Sequence, residues 1–338
     1  MAIPYASRDY LVGMAEQTVW GTAAADAAAV MQLDVAPIHL PQPINFRPNP
    51  GATGARWKIT TDYAADQYGV VTEFTIKGEA KQKELDFLLA GYAQKCVEGA
   101  TTPFSKVFTF DTSAPQPDFP VSSAGYTLTF FFRDPVTADS WKVKDCIVKS
   151  LKISFQPGQR ASYEAVIVGR GAPATSTPSG TWTRTANEFW FWNLCAEKTV
   201  NFGAGAVAQI LGSGGCELNF VQSADLYGQE STGDGTGWIL YDRFPKFSLN
   251  LLKGSSLATA ITNLKAATAI DAVLRWGNAT PGTDNGDLSI NFKAILTPDV
   301  ERVFNNNYEM VLQGDLASAS NAASPFTITL ANAIDRVW

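Results

Sequence analysis

The chain has 338 residues, 46% hydrophobic and 17% charged, which is long for one ordinary domain and suits two folded ones. Its 26 basic and 32 acidic residues leave a net charge of −6, which argues against a strongly basic nucleic-acid-binding surface. Four cysteines, at 96, 146, 195 and 216, form no CxxC pair and exclude zinc-ribbon spacing; they read as buried free thiols in a reducing cytoplasm. The start, MAIPYASRDY, lacks the basic-then-apolar order of a secretion signal, and no apolar run reaches the roughly 20 residues of a membrane helix. The expectation is a protein folded and assembled in cytoplasm, with no membrane partner.

Residues 1–30 read as an N-terminal arm: a short apolar register, then Trp20-Gly21-Thr22, then an alanine-rich stretch. Arms that bury little of themselves lie on neighbouring subunits. Residues 31–46 read as extended, with Pro37, Pro41 and Pro43 confining strands to short pieces. Residues 48–68 form a long loop broken by RWKIT, and loops of roughly 20 residues tend to be functional. Residues 70–77 (VVTEFTIK) alternate as a half-buried strand does. Residues 79–92 predict a helix, with Leu85, Leu88, Leu89 and Tyr92 on one face and Lys81, Lys83 and Glu84 mostly opposite. Strands follow at 106–110, 126–133 and 142–149. LKISF (151–155) and YEAVIVGR (163–170) then close a first domain over 31–170.

Residues 171–187, rich in Gly, Pro, Ser and Thr, read as a linker to a second domain over 188–338. That domain opens on Phe189-Trp190-Phe191-Trp192, a cluster best read as core or subunit interface. The order of elements then recurs. ELNFV (217–221) matches PINFR (43–47), and a glycine-rich loop follows at 223–238. FPKFSLNL (244–251) matches the strand at 70–77, and residues 255–267 predict a second helix. A strand at 272–276 is followed by LSINF (288–292), which matches LKISF, and YEMVLQG (308–314), which matches YEAVIVG. The offsets vary from 137 to 174 while the order holds, as in duplicated domains with altered loops. The reading is mainly β: two antiparallel sandwich or partial-barrel domains, each with one flanking helix.

Catalytic signals are poor. The single histidine, His39, sits among prolines and offers no cluster for a metal. Gly203-Ala-Gly205-Ala-Val-Ala208 fits a loose dinucleotide fingerprint, but the helix that should follow is cut short by Gly212-Ser-Gly-Gly, so a turn between strands is the better reading. GDGTG (233–237) and GTDNGD (282–287) lack the carboxylate spacing of a calcium loop and read as turn chemistry. No enzyme activity, cofactor or metal is expected.

The stretch EQTVWGTAA (16–24), ahead of a β-rich domain with one helix, resembles the N-terminal motif of the tail tube (major tail) proteins of long-tailed, siphovirus-like phages; Gln17-Thr18 departs slightly from the usual pattern. The resemblance implies two tandem tail-tube-like domains. It further implies rings of six such domains, built here as pseudo-hexameric trimers, stacked into a hollow tube that DNA passes through without specific binding. It implies tape-measure and tail-terminator proteins as partners and the virion tail as location. Glu16, Trp20, Gly21, Arg56, Trp57, Tyr227 and Trp238 become candidate contacts between rings or subunits, and Glu164 and Glu309 candidate lumen carboxylates. The acidic balance would suit a lumen that repels phosphate. The alternatives are another phage tail or head structural protein, or a carbohydrate-binding adhesin module.

Overall fold

Alternating sequence becomes strand through most of the chain, and the fold is mainly β. The structure, a computed structural model, describes residues 11–35, 38, 45–48, 63–66, 71–109, 126–134, 140–184, 188–201, 206–208, 211–227, 237–252, 262, 265–277, 279–280, 282–297, 309–318 and 323–333. The first half runs β1 (Leu11–Gln17), β2 (Val30–Gln32), β3 (Asn45–Pro48), β4 (Tyr63–Asp66), β5 (Val71–Glu79) and helix α1 (Gln82–Ala93). It continues through β6 (Cys96–Glu98), β7 (Phe104–Phe108), β8 (Thr127–Arg133), β9 (Ser140–Phe155) and β10 (Ser162–Thr175). After β11 (Trp182–Arg184), the second half opens with β12 (Cys195–Asn201), β13 (Ala206–Ala208), β14 (Leu211–Val221), β15 (Ser223–Tyr227) and β16 (Gly237–Tyr241). It ends with β17 (Lys246–Leu252), β18 (Ile270–Trp276), β19 (Leu288–Leu296), β20 (Glu309–Leu316) and β21 (Phe326–Asn332).

Helix α1 begins later than the apolar pattern suggests, because β5 runs on through Glu79, which pairs with Ser162. It ends where Gln94 turns left-handed (φ 62) and donates its N–H to the Ala90 carbonyl at 3.0 Å. Leu85, Leu88, Leu89 and Tyr92 are buried, as their spacing requires. Lys81 and Glu84, expected on the outer face, are buried too. Each has a partner: Lys81 pairs with Asp34, and Glu84 accepts the Tyr163 hydroxyl at 3.1 Å. The second helix, expected at 255–267, lies largely outside the described residues; Thr262 and Lys265 are helical.

The strands pair in the same order twice. In the first half β8 pairs with β9, β9 with β10, and β10 with β5, all antiparallel. In the second half β18 pairs with β19, β19 with β20, and β20 with β17. β14 lies against β17, and on the free side of β5 Val35 makes an antiparallel bridge to Gly78. Two short ribbons, β3–β4 and β15–β16, precede β5 and β17. β9 also pairs with β14, and β7 with β21, so the two halves share one sheet and one hydrophobic core. The Lys106 ammonium, fully buried on β7, bonds to Asp86 of α1 at 2.9 Å and Asn332 of β21 at 2.7 Å, across the junction.

Registers correct the residue-level match. Leu288 lies opposite Trp276 on β18, as Ser140 lies opposite Arg133 on β8. LSINF therefore sits where Ser140 and its neighbours sit, not where LKISF sits. A period-two pattern repeats along any strand, and the bulged register of β9 shifts its phase, so LKISF and LSINF match in pattern and not in place. PINFR and ELNFV also part company: residues 45–48 form a ribbon with β4, whereas β14 lies between β9 and β17. The glycines of the β10–β20 match share a physical reason. A Cβ on Gly169 would lie 2.2 Å from Val143 of β9, and one on Gly314 2.2 Å from the Ile295 carbonyl of β19.

The stretch expected as a free arm is, from residue 11 on, part of this sheet. β1 pairs along its whole length with β8 and buries Val12, Met14 and Ala15. The alternation is hard to see because the strand is buried on both faces. The expected linker is pinned as well: β10 runs on to Thr175, and β11 pairs parallel with β2.

Candidate functional site

Three of the residues singled out in the sequence, Trp20, Gly21 and Trp238, converge on one buried ion pair, Asp145 with Arg170. Val19 to Thr22 form a tight turn closed by the Thr22 N–H on the Val19 carbonyl at 3.2 Å. Gly21 takes its third position with φ +81, a backbone shape that glycine adopts without strain. The turn aims the Gly21 N–H at the Asp145 carboxylate, 2.8 Å away. Gln17 completes the grip: its side-chain amide donates to the same carboxylate, and its carbonyl oxygen accepts the Asp145 N–H at 2.8 Å. The Thr129 hydroxyl donates to that Gln17 oxygen at 3.0 Å and accepts the Ala24 N–H at 2.9 Å.

Asp145 is fully buried, with φ 51, at a break in the β9 register. Its counter-charge is Arg170 of β10, equally buried, with Nε 2.6 Å from the carboxylate. Trp20 lies over that guanidinium, 5.1 Å from ring centre to Cζ, a cation–π geometry. From the other half of the chain, the Trp238 indole N–H donates to the Asp145 carbonyl at 2.8 Å. Trp238 and Leu240 of β16 bury against Ile147 and Val168, with Trp20 and Leu226 around them. The arrangement is a clasp: one ion pair fixes the N-terminal segment, the β9–β10 bulge and the β15–β16 ribbon together. Gln17, Asp145 and Arg170 were missed by sequence reasoning. No clear signal marked them: β9 carries Lys142, Lys144, Lys149 and Lys152 beside Asp145, and β10 carries Glu164 as well as Arg170.

The other candidates fall elsewhere. Glu16 is half-buried on β1, opposite Leu128. Tyr227 ends β15 opposite Gly237, and Glu309 begins β20 opposite Leu252; their side chains lie outside the described residues. Arg56, Trp57 and His39 lie outside them altogether.

Glu164 stands on an exposed polar face formed by β5, β10, β9, β14, β17 and β20 in that order. One row crosses all six strands in register: Lys77, Glu164, Lys152, Asn219, Lys246, Asp315. Glu164 is 42% exposed and ion-paired with Lys77 at 2.8 Å. Lys152 reaches across the β9–β14 seam to Glu217 at 2.8 Å, and Lys149 pairs with Glu73 at 2.8 Å. Around Glu217, Lys246 and Asp315 the face dips into an open recess of about 290 Å³. The excess acidity of the chain is therefore not concentrated here; basic and acidic groups alternate.

Chemistry at the remaining reactive groups is muted. Burial pushes the Cys195 thiol up to about 11 and the Cys146 and Cys216 thiols above the ordinary range, so all three stay protonated. Among the described residues no group of three or more His, Cys, Asp or Glu side chains could hold a metal ion. Ala206–Ala208 is a strand hairpinned to β12, not the helix a dinucleotide site needs. In GTDNGD the Asp287 carboxylate accepts the N–H groups of Thr283 and Asp284, both at 3.0 Å, an ordinary turn. Trp190, at the centre of the aromatic run, is buried and donates to the Gly286 carbonyl at 2.8 Å. No helix among the described residues is long and apolar enough to cross a membrane. No protein-family model matches the chain, and no curated protein is similar to it.

Proposed function

We propose that the chain is a structural protein of a phage tail, in which two tail-tube-like units in tandem build rings that stack into a hollow tube for DNA. Three chains close a ring of six units. The observation that carries the reading is the strand order β8-β9-β10-β5, repeated as β18-β19-β20-β17 and joined edge to edge where β9 meets β14. Open sheet edges are templates for further pairing, and a ring removes them without a cap. The β9–β14 seam joins unit to unit within a chain. Repeated between the second unit of one copy and the first of the next, the same joint closes the sheet. Such contacts are heterologous, which suits both a closed ring and an open stack of rings.

The helix and core lie on one side of the sheet and the polar face on the other, as a tube wall requires of its outer and inner surfaces. The ribbons β3–β4 and β15–β16 lie at the two stretches that read from the sequence as long loops, 48–68 and 223–238, and suit contacts with the next ring. Tape-measure and tail-terminator proteins would then fill and stop the tube, and the virion tail would be its location. Negative-stain micrographs of concentrated protein test the reading: hollow filaments with regular ring spacing are expected, and a monodisperse monomer at every concentration would overturn it.

A further inference from the structure

The polar face carries lysines in a chain whose net charge is −6, and Lys77, Lys149 and Lys152 are each ion-paired with a carboxylate. In the six-strand row Glu164 lies between Lys77 and Lys152, directly opposite both, and Asp315 lies directly opposite Lys246. Lys152 crosses the seam between halves to Glu217. Opposite charges facing across adjacent strands support one another, so the row also favours the pairing it decorates. Lys77, Glu164, Lys152 and Glu217 are between 41% and 58% exposed, so a mobile polyanion could reach them.

We propose that this face is a self-neutralised surface: cross-strand carboxylates occupy lysines that would otherwise hold the phosphate backbone of a nucleic acid. The partner is duplex DNA, and the surface lets it pass without holding it. This rests on the tube reading for its biological sense, while the electrostatics stand independently. A uniformly acidic wall would repel DNA at long range. A wall of paired charges cancels beyond roughly 10 Å, the screening length at 0.1 M salt, and a lysine already paired with a carboxylate gains less by replacing the counterions of a phosphate.

The test neutralises the carboxylates and keeps the lysines: Glu164→Gln, Glu217→Gln and Asp315→Asn together in the full chain. Binding to a 30-base-pair duplex of arbitrary sequence is measured by fluorescence anisotropy. Wild-type protein is expected to show no binding at about 50 mM salt. The triple variant is expected to bind, with affinity falling roughly fortyfold between about 50 and 200 mM salt if three phosphates are engaged. A second variant, Lys152→Glu with Glu217→Lys, keeps the pair and the net charge and is expected not to bind; circular dichroism checks the fold of each. Absence of binding by a folded triple variant overturns the proposal, as does equal binding by wild type. If the triple variant fails to fold, Glu164→Gln alone serves, with weaker but salt-sensitive binding expected and its absence counting against the proposal. Tubes without DNA binding by the variants would reject the surface and keep the tube; binding without tubes would do the reverse.

Discussion

At the scale of residues, the clasp turns on Asp145. Removing a buried charge's partner costs more than removing a hydrogen bond to it. Asp145→Ala leaves Arg170 buried beside a cavity and is expected to lower stability by about 3–5 kcal/mol in chemical unfolding. Trp238→Phe keeps most of the apolar contact, loses one donor to the Asp145 carbonyl, and is expected to cost about 1 kcal/mol. Equal effects would show that the ion pair is not the centre of the clasp. Asp26 gives a pH signature. Its carboxyl is lowered from 3.8 to about 2, chiefly by the hydrogen bond from Lys142, against the cost of burial and with help from Thr177 and Ser176. A lowered carboxylate stabilises fully above its unfolded value and loses that contribution as pH falls from about 4 through 2. Asp26→Asn is therefore expected to cost about 1 kcal/mol at neutral pH, its partial exposure allowed for, and nothing below pH 2. A difference undiminished at pH 2 would contradict the assignment.

At the scale of elements, the junction of the halves rests on β7, α1 and β21. Lys106→Met removes the counter-charge of buried Asp86, leaving it the Asn332 amide, and is expected to cost about 3–5 kcal/mol. Arg160→Gln removes an exposed pair with Glu79 and is expected to cost under about 1 kcal/mol. Hydrogen exchange should show the loss in Lys106→Met first in β21; uniform loss over all strands would argue against a local tie. Much of this was legible beforehand. Strands β5, β8, β10 and β18 announce themselves by alternation or aromatic content, and α1 by four apolar residues on one face. The repeat was legible as an order of elements but not as a residue alignment, because bulges in β9 shift a pattern that repeats every second residue. β1 was read as an arm because a strand buried on both faces shows no alternation. The clasp was half legible: Trp20-Gly21 stood out, while Asp145 and Arg170 became visible only when β9 and β10 brought them together.

At the scale of the whole molecule, one chain contains two copies of a strand order and one example of the joint between copies. In the proposed tube, a chain with one unit would need six copies to close a ring of six, and this one would need three. The short β15–β16 ribbon, held by the clasp, would then help to set how one ring meets the next. The most direct measurement is the rotational symmetry of a single ring in class-averaged end-on electron micrographs of assembled protein. Six similar densities around a central channel, related by threefold symmetry, are expected, with ring mass equal to three chains. A ring of six chains, or an assembly without a channel, would contradict the proposed tube of three-chain rings.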